Sequence, residues 1–139
     1  MRRIFADTLY WLALANPRDQ WHDAAKRLSA SLTGLSLVTT EEVLIEFLTW
    51  FSNHGPQGRS HAGTTVRTIL RDSASHVVPQ THEGFLTALD LYEQRPDKRY
   101  SMTDCISMQT MRSMGLTEVL THDEHFTQEG FRILFANQP

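Results

Sequence analysis

Asp104 stands in the stretch Tyr100–Gly115, YSMTDCISMQTMRSMG, where an amphipathic helix is expected. Met108 and Met111 lie four and seven positions further on, so all three side chains share one helical stripe. A carboxylate in line with apolar residues is costly to bury unless it is paired, hydrogen-bonded or metal-bound. Ser101 as N-cap would explain an acid in the first turn, through an S-x-x-D variant of the capping box, but capping does not require an inward direction. Three other acids are candidates for the same place. Asp7 closes the apolar run RIFA, Asp123 follows VLTH, and Glu46 borders the apolar stripe of Val43, Phe47 and Trp50. Glu41 and Glu42 differ, because a solvated first helical turn accounts for them through the macrodipole. Four carboxylates gathered together repel one another and should titrate upward. Hard divalent cations such as Mg²⁺ and Mn²⁺ relieve that repulsion, and the resulting site suits phosphodiester hydrolysis, in which a metal activates water and neutralises phosphate charge.

Gathering them requires a particular arrangement of elements. Arg3–Ala6 reads as a buried strand and Leu9–Ala15 as a helix broken at Asn16-Pro17. Asp19 is expected to cap a second helix in which Trp21, Ala24, Ala25, Leu28 and Leu32 recur, ending at Gly34. Leu35–Val38 is a second strand, and Thr39 to Glu42 a capping box opening a helix whose buried face is Val43, Leu44, Phe47, Leu48 and Phe51. A helix over Arg59–Asp72, a strand at His76–Val78, a helix over Thr81–Glu93 and a charged loop Gln94–Arg99 follow. Next come the helix Met102–Met114, a strand at Glu118–Leu120 and a last strand at Phe131–Phe135. Such alternation implies a parallel sheet covered on both faces. Asp7 and Asp123 then project from the same edge, the carboxyl ends of the strands, where open α/β sheets bind ligands near the topological switch point. Two aspartates at strand ends would mean little alone; Glu46 and Asp104 add the weight.

The 139 residues, without repeats or linkers, fit one domain, 1–139, with a single core. A net charge of -3 excludes polyanion binding by bulk basicity, so any nucleic-acid contact needs a local basic patch or a bound metal. Cys105 is the single cysteine, which excludes an internal disulfide and fits a reducing compartment. The N-terminal stretch MRRIFADTLYWLALANP imitates a targeting signal, but Asp7 interrupts a short apolar run and no small-residue cleavage site follows. A cytoplasmic protein is expected.

The segments FADTLYWLA around Asp7, TTEEVLIEFL around Glu46, YSMTDCISMQTM around Asp104 and VLTHDEHFTQEGFRIL around Asp123 occur in an order and spacing that resemble a PIN domain, the metal-dependent nuclease fold used by VapC-type toxins of bacterial toxin–antitoxin pairs. They span nearly the whole chain, and T-x-D-x-x-F followed by GF is the most recognisable part. The resemblance implies a three-layer α/β/α sandwich with a central parallel sheet of about five strands. It also implies a site for Mg²⁺ or Mn²⁺ formed by Asp7, Glu46, Asp104 and Asp123, and endonucleolytic hydrolysis of RNA. Asp7 and Asp104 carry over as direct ligands, Glu46 and Asp123 as groups that coordinate through water or orient the attacking water, and Thr8 and Thr121 as hydroxyls that brace the acids. A homodimer and an inhibitory antitoxin partner are further implications.

Competing readings are weaker. His122 and His125 have the H-x-x-H spacing of some zinc sites, but no cysteine or further histidine lies near to complete a ligand set; His125 reads better as a structural residue near the site or a helper in substrate binding. A phosphoacceptor receiver domain would require paired acids after the first strand and a lysine near the end, and no lysine lies beyond Lys98. The serious alternative is a PIN-like RNA- or protein-binding module with little or no catalysis. Either reading calls for phosphate contacts, from Arg59, Arg67 and Arg71 on one helix or from Arg95, Lys98 and Arg99 before Tyr100. Trp11, Trp21 and Trp50 read as core or interface residues, and Cys105 as packing.

Overall fold

The computed structural model describes residues 2–135. Its centre is β1, Arg3–Ala6, in which Ile4, Phe5 and Ala6 are all completely buried. Successive strand side chains point to opposite faces, so burial of all three means that both faces of the sheet are covered. Beside β1 run β2, Ser36–Thr40, and β4, Glu118–Leu120; β3, Ser75–Val78, and β5, Arg132–Ile133, lie outside them. All pairs are parallel and the order is β3-β2-β1-β4-β5. The chain therefore crosses from one side of β1 to the other between β3 and β4. The carboxyl ends of β1 and β4 flank this switch point, the position where such sheets leave a crevice.

The helices are α1 (Thr8–Ala15), α2 (His22–Ser31), α3 (Glu41–Phe51), α4 (Gly55–Arg71), α5 (His82–Gln94), α6 (Met102–Met114) and α7 (His125–Gln128). Helix α6 follows its local signals closely. Ser101 and Asp104 form a reciprocal capping box, Cys105, Met108 and Met111 are fully buried, and Gly115 ends the helix at φ +67. Leu116 N–H closes on Met111 O at 2.8 Å, which completes the left-handed stop.

Other boundaries depart from the sequence expectation for tertiary reasons. Thr40, not Thr39, caps α3, its hydroxyl accepting from Val43 N–H at 3.1 Å. β2 continues two residues beyond Val38 because Thr39 and Thr40 pair with Val77 and Val78 of β3. Thr39 is thereby turned inward, where its hydroxyl donates to Ala6 O at 2.9 Å. Asp19 caps no helix; its carboxylate accepts from Trp21 N–H at 2.8 Å in a local turn, and α2 begins at His22. Helix α4 starts four residues earlier than expected, with Pro56 pre-setting its first turn. Leu48 is exposed rather than part of the buried α3 face, and the one-turn helix α7 was not anticipated. Among the described residues no helix is long and apolar enough to cross a membrane.

Candidate functional site

Asp7 is the residue at which β1 becomes α1, in extended conformation at the helix N-cap position. Its backbone N–H bonds Leu120 O at 3.3 Å, which draws the ends of β1 and β4 together. The carboxylate is 3% exposed. Thr121, immediately after β4, donates its hydroxyl to Asp7 Oδ2 at 2.9 Å and accepts from Asp123 N–H at 3.1 Å. One buried threonine thus fixes two acids that are 116 positions apart. Thr8, expected to brace in the same way, has a buried hydroxyl without a hydrogen-bond partner.

Asp104 reaches the same place from the first turn of α6. Its Oδ2 accepts from Ser101 N–H at 3.0 Å, so the carboxylate is both cap and site wall. His125, the first residue of α7, lies between two acids: Nδ1 is 3.3 Å from Asp104 Oδ2 and 3.4 Å from Asp123 Oδ1. Asp123 Oδ1 also accepts from His125 N–H at 2.9 Å, a tight local turn that aims the imidazole at the carboxylates. Asp104, Asp123 and His125 each present a donor atom within 4.8 Å of the others, a spacing a single cation spans.

Electrostatics separate the four acids. Burial, reinforced by the field of Asp104 and more weakly by Glu46, pushes Asp7 from 3.8 up to about 7, although Thr121 and the Thr8 backbone pull the other way. Burial and the nearby Asp123 also raise Asp104, against the Ser101 and His125 hydrogen bonds. Glu46 is exposed on α3, close enough for its charge to be felt at Asp7; the convergent donor set is Asp104, Asp123 and His125, and Asp7 adjoins it through Thr121. The structure therefore brings Asp7, Asp104 and Asp123 together, with Glu46 on the solvent side.

The histidine pair does not act as a unit. His122 stacks on Trp21 with ring centroids 4.5 Å apart and planes 6° from parallel, and burial lowers its pKa. Only His125 joins the acids. Its place could have been suspected from D-x-H directly after a strand end, since an aspartate there folds the next residues back on itself. The donor set fits a divalent cation on chemical grounds: two carboxylates and an imidazole converge in Asp104, Asp123 and His125, and the buried Asp7 adjoins them through Thr121 with no cationic partner among the described residues.

Comparison with known proteins places this geometry. The PIN domain model matches residues 4–131. The chain is 30% identical over 128 residues to a protein named 23S rRNA-specific endonuclease VapC20 of Mycobacterium tuberculosis, covering 92% of this chain and 95% of that protein. The crystal structure of that VapC20, described as a sarcin-ricin loop cleaving toxin, superposes with a TM-score of 0.82 over the same share of each chain. FitAcB from Neisseria gonorrhoeae, at 13% identity and TM-score 0.67, covers 94% of this chain and 95% of its own. DNA-bound VapBC from Salmonella typhimurium, at 14% identity and TM-score 0.65, covers 96% of this chain and 97% of its own. Both share the fold. The chain belongs to the PIN domain family.

Proposed function

We propose that this protein is a divalent-metal-dependent endoribonuclease acting on a structured RNA, as the toxin of a toxin–antitoxin pair or as a stand-alone nuclease. The observation that carries the reading is the convergence of Asp104, Asp123 and His125 within 4.8 Å at the switch point, with the buried Asp7 joined to Asp123 through Thr121, in a PIN domain 30% identical to an rRNA endonuclease. Asp104 and Asp123 would hold Mg²⁺ or Mn²⁺ with His125 as a further donor, and Asp7, tied to Asp123 through Thr121, would complete the set. Once bound, the ion supplies charge neutralisation at the phosphate and acidity for water. Around it the chain's own groups have separable tasks. Thr121 holds Asp7 and Asp123 in register, the α6 cap holds Asp104, and exposed Glu46 can accept a proton or a hydrogen bond at the solvent side.

Phosphate contacts belong to arginines that are not already committed. Arg95 is excluded from that role because its guanidinium pairs with Glu129 at 2.8 Å. Exposed Arg99, on the loop preceding α6 and close in sequence to the site, remains, as do exposed Arg67 and Arg71 on α4, whereas Lys98 pairs with Asp97 at 3.5 Å. Exposed Ile45 and Leu48 on α3, and Phe85 and Leu86 on α5, are apolar surface suited to a second copy of the chain or to an antitoxin, the two partners the reading calls for.

The test is cleavage of a ribosomal RNA fragment containing a structured loop, with Mg²⁺ or Mn²⁺, with chelator, and with Asp7→Asn. Specific cuts that vanish with chelator and with the variant support the proposal. Binding of that RNA with no cut by either protein, in any metal, would establish the binding-module reading instead.

A further inference from the structure

Glu129, just past α7, lies outside the acidic site, yet its side chain is 4% exposed. Its Oε2 accepts from Arg95 Nε and from the Tyr100 hydroxyl, each at 2.8 Å. Its Oε1 accepts from Arg112 Nη2 at 2.6 Å and from Arg95 Nη2 at 3.3 Å. These partners come from three places: Arg95 caps the end of α5, Tyr100 immediately precedes the α6 N-cap, and Arg112 lies in the last turn of α6. Arg112 also sits over the Phe131 ring, 5.4 Å from its centroid. One carboxylate therefore ties the ends of α5 and α7 to both ends of α6.

Two direct lines run from this hub to the site. The Tyr100 ring, whose hydroxyl is held by Glu129, packs against the His125 imidazole at a centroid distance of 5.3 Å. Helix α7 carries His125 at its first residue and Glu129 immediately after its last, and it is only four residues long. A single helical turn does not hold itself in water, so its direction is set by what anchors its ends. At one end the anchor is Asp123; at the other it is Glu129. Tyr100 is also adjacent to Ser101, whose backbone N–H fixes Asp104.

We infer that Glu129 and Tyr100 are positioning residues for the metal site, holding His125 and Asp104 at the separation a cation needs although neither touches it. The inference rests on the site proposed above. Ligand geometry must be held to within a fraction of an ångström for full affinity, and supporting groups that orient ligands commonly change metal affinity by about 10–100-fold.

The experiment is a Mn²⁺ titration of the whole purified protein, reading free Mn²⁺ by electron paramagnetic resonance, alongside thermal unfolding without metal. Tyr100→Phe keeps the ring and deletes only the hydroxyl bond; it should weaken Mn²⁺ binding about 10-fold while the fold persists. Glu129→Gln should weaken it further. The remote Glu118→Gln, which loosens the Arg2 pair, should leave Mn²⁺ affinity unchanged. RNA cleavage by Tyr100→Phe should return toward the native rate at saturating Mn²⁺, a recovery that a general loss of folded protein would not show. Native Mn²⁺ affinity in Tyr100→Phe overturns the inference, even if Glu129→Gln fails to fold. A native protein that binds no Mn²⁺, or binds it as well as Asp104→Asn does, overturns the underlying site instead.

Discussion

Asp7 and Glu129 are both buried acids at the ends of short elements, and they ionise in opposite directions. Burial raises each. At Asp7 the neighbours add to the rise, since Asp104 and Glu46 bring like charge, and the carboxylate goes up to about 7. At Glu129, hydrogen bonds from Arg95, Arg112 and Tyr100 overcome the effect of burial and hold the group down at about 2. One carboxylate has been given its counter-charges by the chain; the other has been left without them. A folded protein keeps an uncompensated buried charge only where something else offsets it, and repelling carboxylates beside a strand end are what a divalent cation resolves. Glu129 shows that this fold can neutralise a buried acid with arginines where structure alone is at stake.

The largest stability effect should come from breaking the satisfied acid. Removing one partner of a buried ion pair costs ~3–5 kcal/mol. Here the side chains of Arg95 and Arg112 are 35% and 39% exposed, so hydration screens part of the loss, and Glu129→Ala should destabilise by about 2 kcal/mol in urea unfolding. A native-like midpoint would show that the hub is decorative. Asp7→Asn should act in the other direction on metal-free protein. The rise from 3.8 to about 7 corresponds to at most ~4 kcal/mol, and water entry and relaxation should leave a gain of about 1–2 kcal/mol at pH 8. The same variant should lose Mn²⁺-induced stabilisation. Loss of stability in Asp7→Asn would mean that the charge is compensated after all.

The two acids also predict separate pH windows for metal-free protein. For Asp7 the folded state holds its proton over a range where the unfolded state has lost it, so its contribution falls as pH rises from 3.8 to about 7 and is constant above. For Glu129 the contribution is complete above 4.5 and is lost as pH falls toward about 2. Asp7→Asn should flatten the upper part of the stability profile and Glu129→Gln the lower part; a single variant that flattens both would show that the two acids are coupled. The smallest effect is expected from Glu118→Gln, whose partner Arg2 is half exposed, with a shift in melting temperature smaller than those of the two buried acids.

Much of the sheet and three of the acids were legible because their signals are local. Strand-end aspartates mark Asp7 and Asp123, and helical spacing marks Asp104 against Met108 and Met111. Boundaries failed where a neighbouring strand decided them, as when pairing with β3 carried β2 through Thr40 and moved the α3 cap by one residue. Glu46 borders a stripe of Val43, Phe47 and Trp50 on a helical wheel, but only Val43 and Phe47 are buried and Glu46 is exposed, because a wheel does not state how far a border residue faces solvent.

The sequence by itself determined the alternation of strands and helices, the inward stripe of α6 and the acid that interrupts it, because hydrophobic periodicity is written over a few consecutive residues. Tertiary structure alone decided which distant groups meet. Arg95 read as a candidate for phosphate binding until its partner appeared 34 positions away, and Glu129 carried no local signal at all. His125 likewise became part of the site only when α6 and the end of β4 were placed side by side. Periodicity reports which way a side chain faces; the identity of what it faces depends on packing between elements that the chain separates.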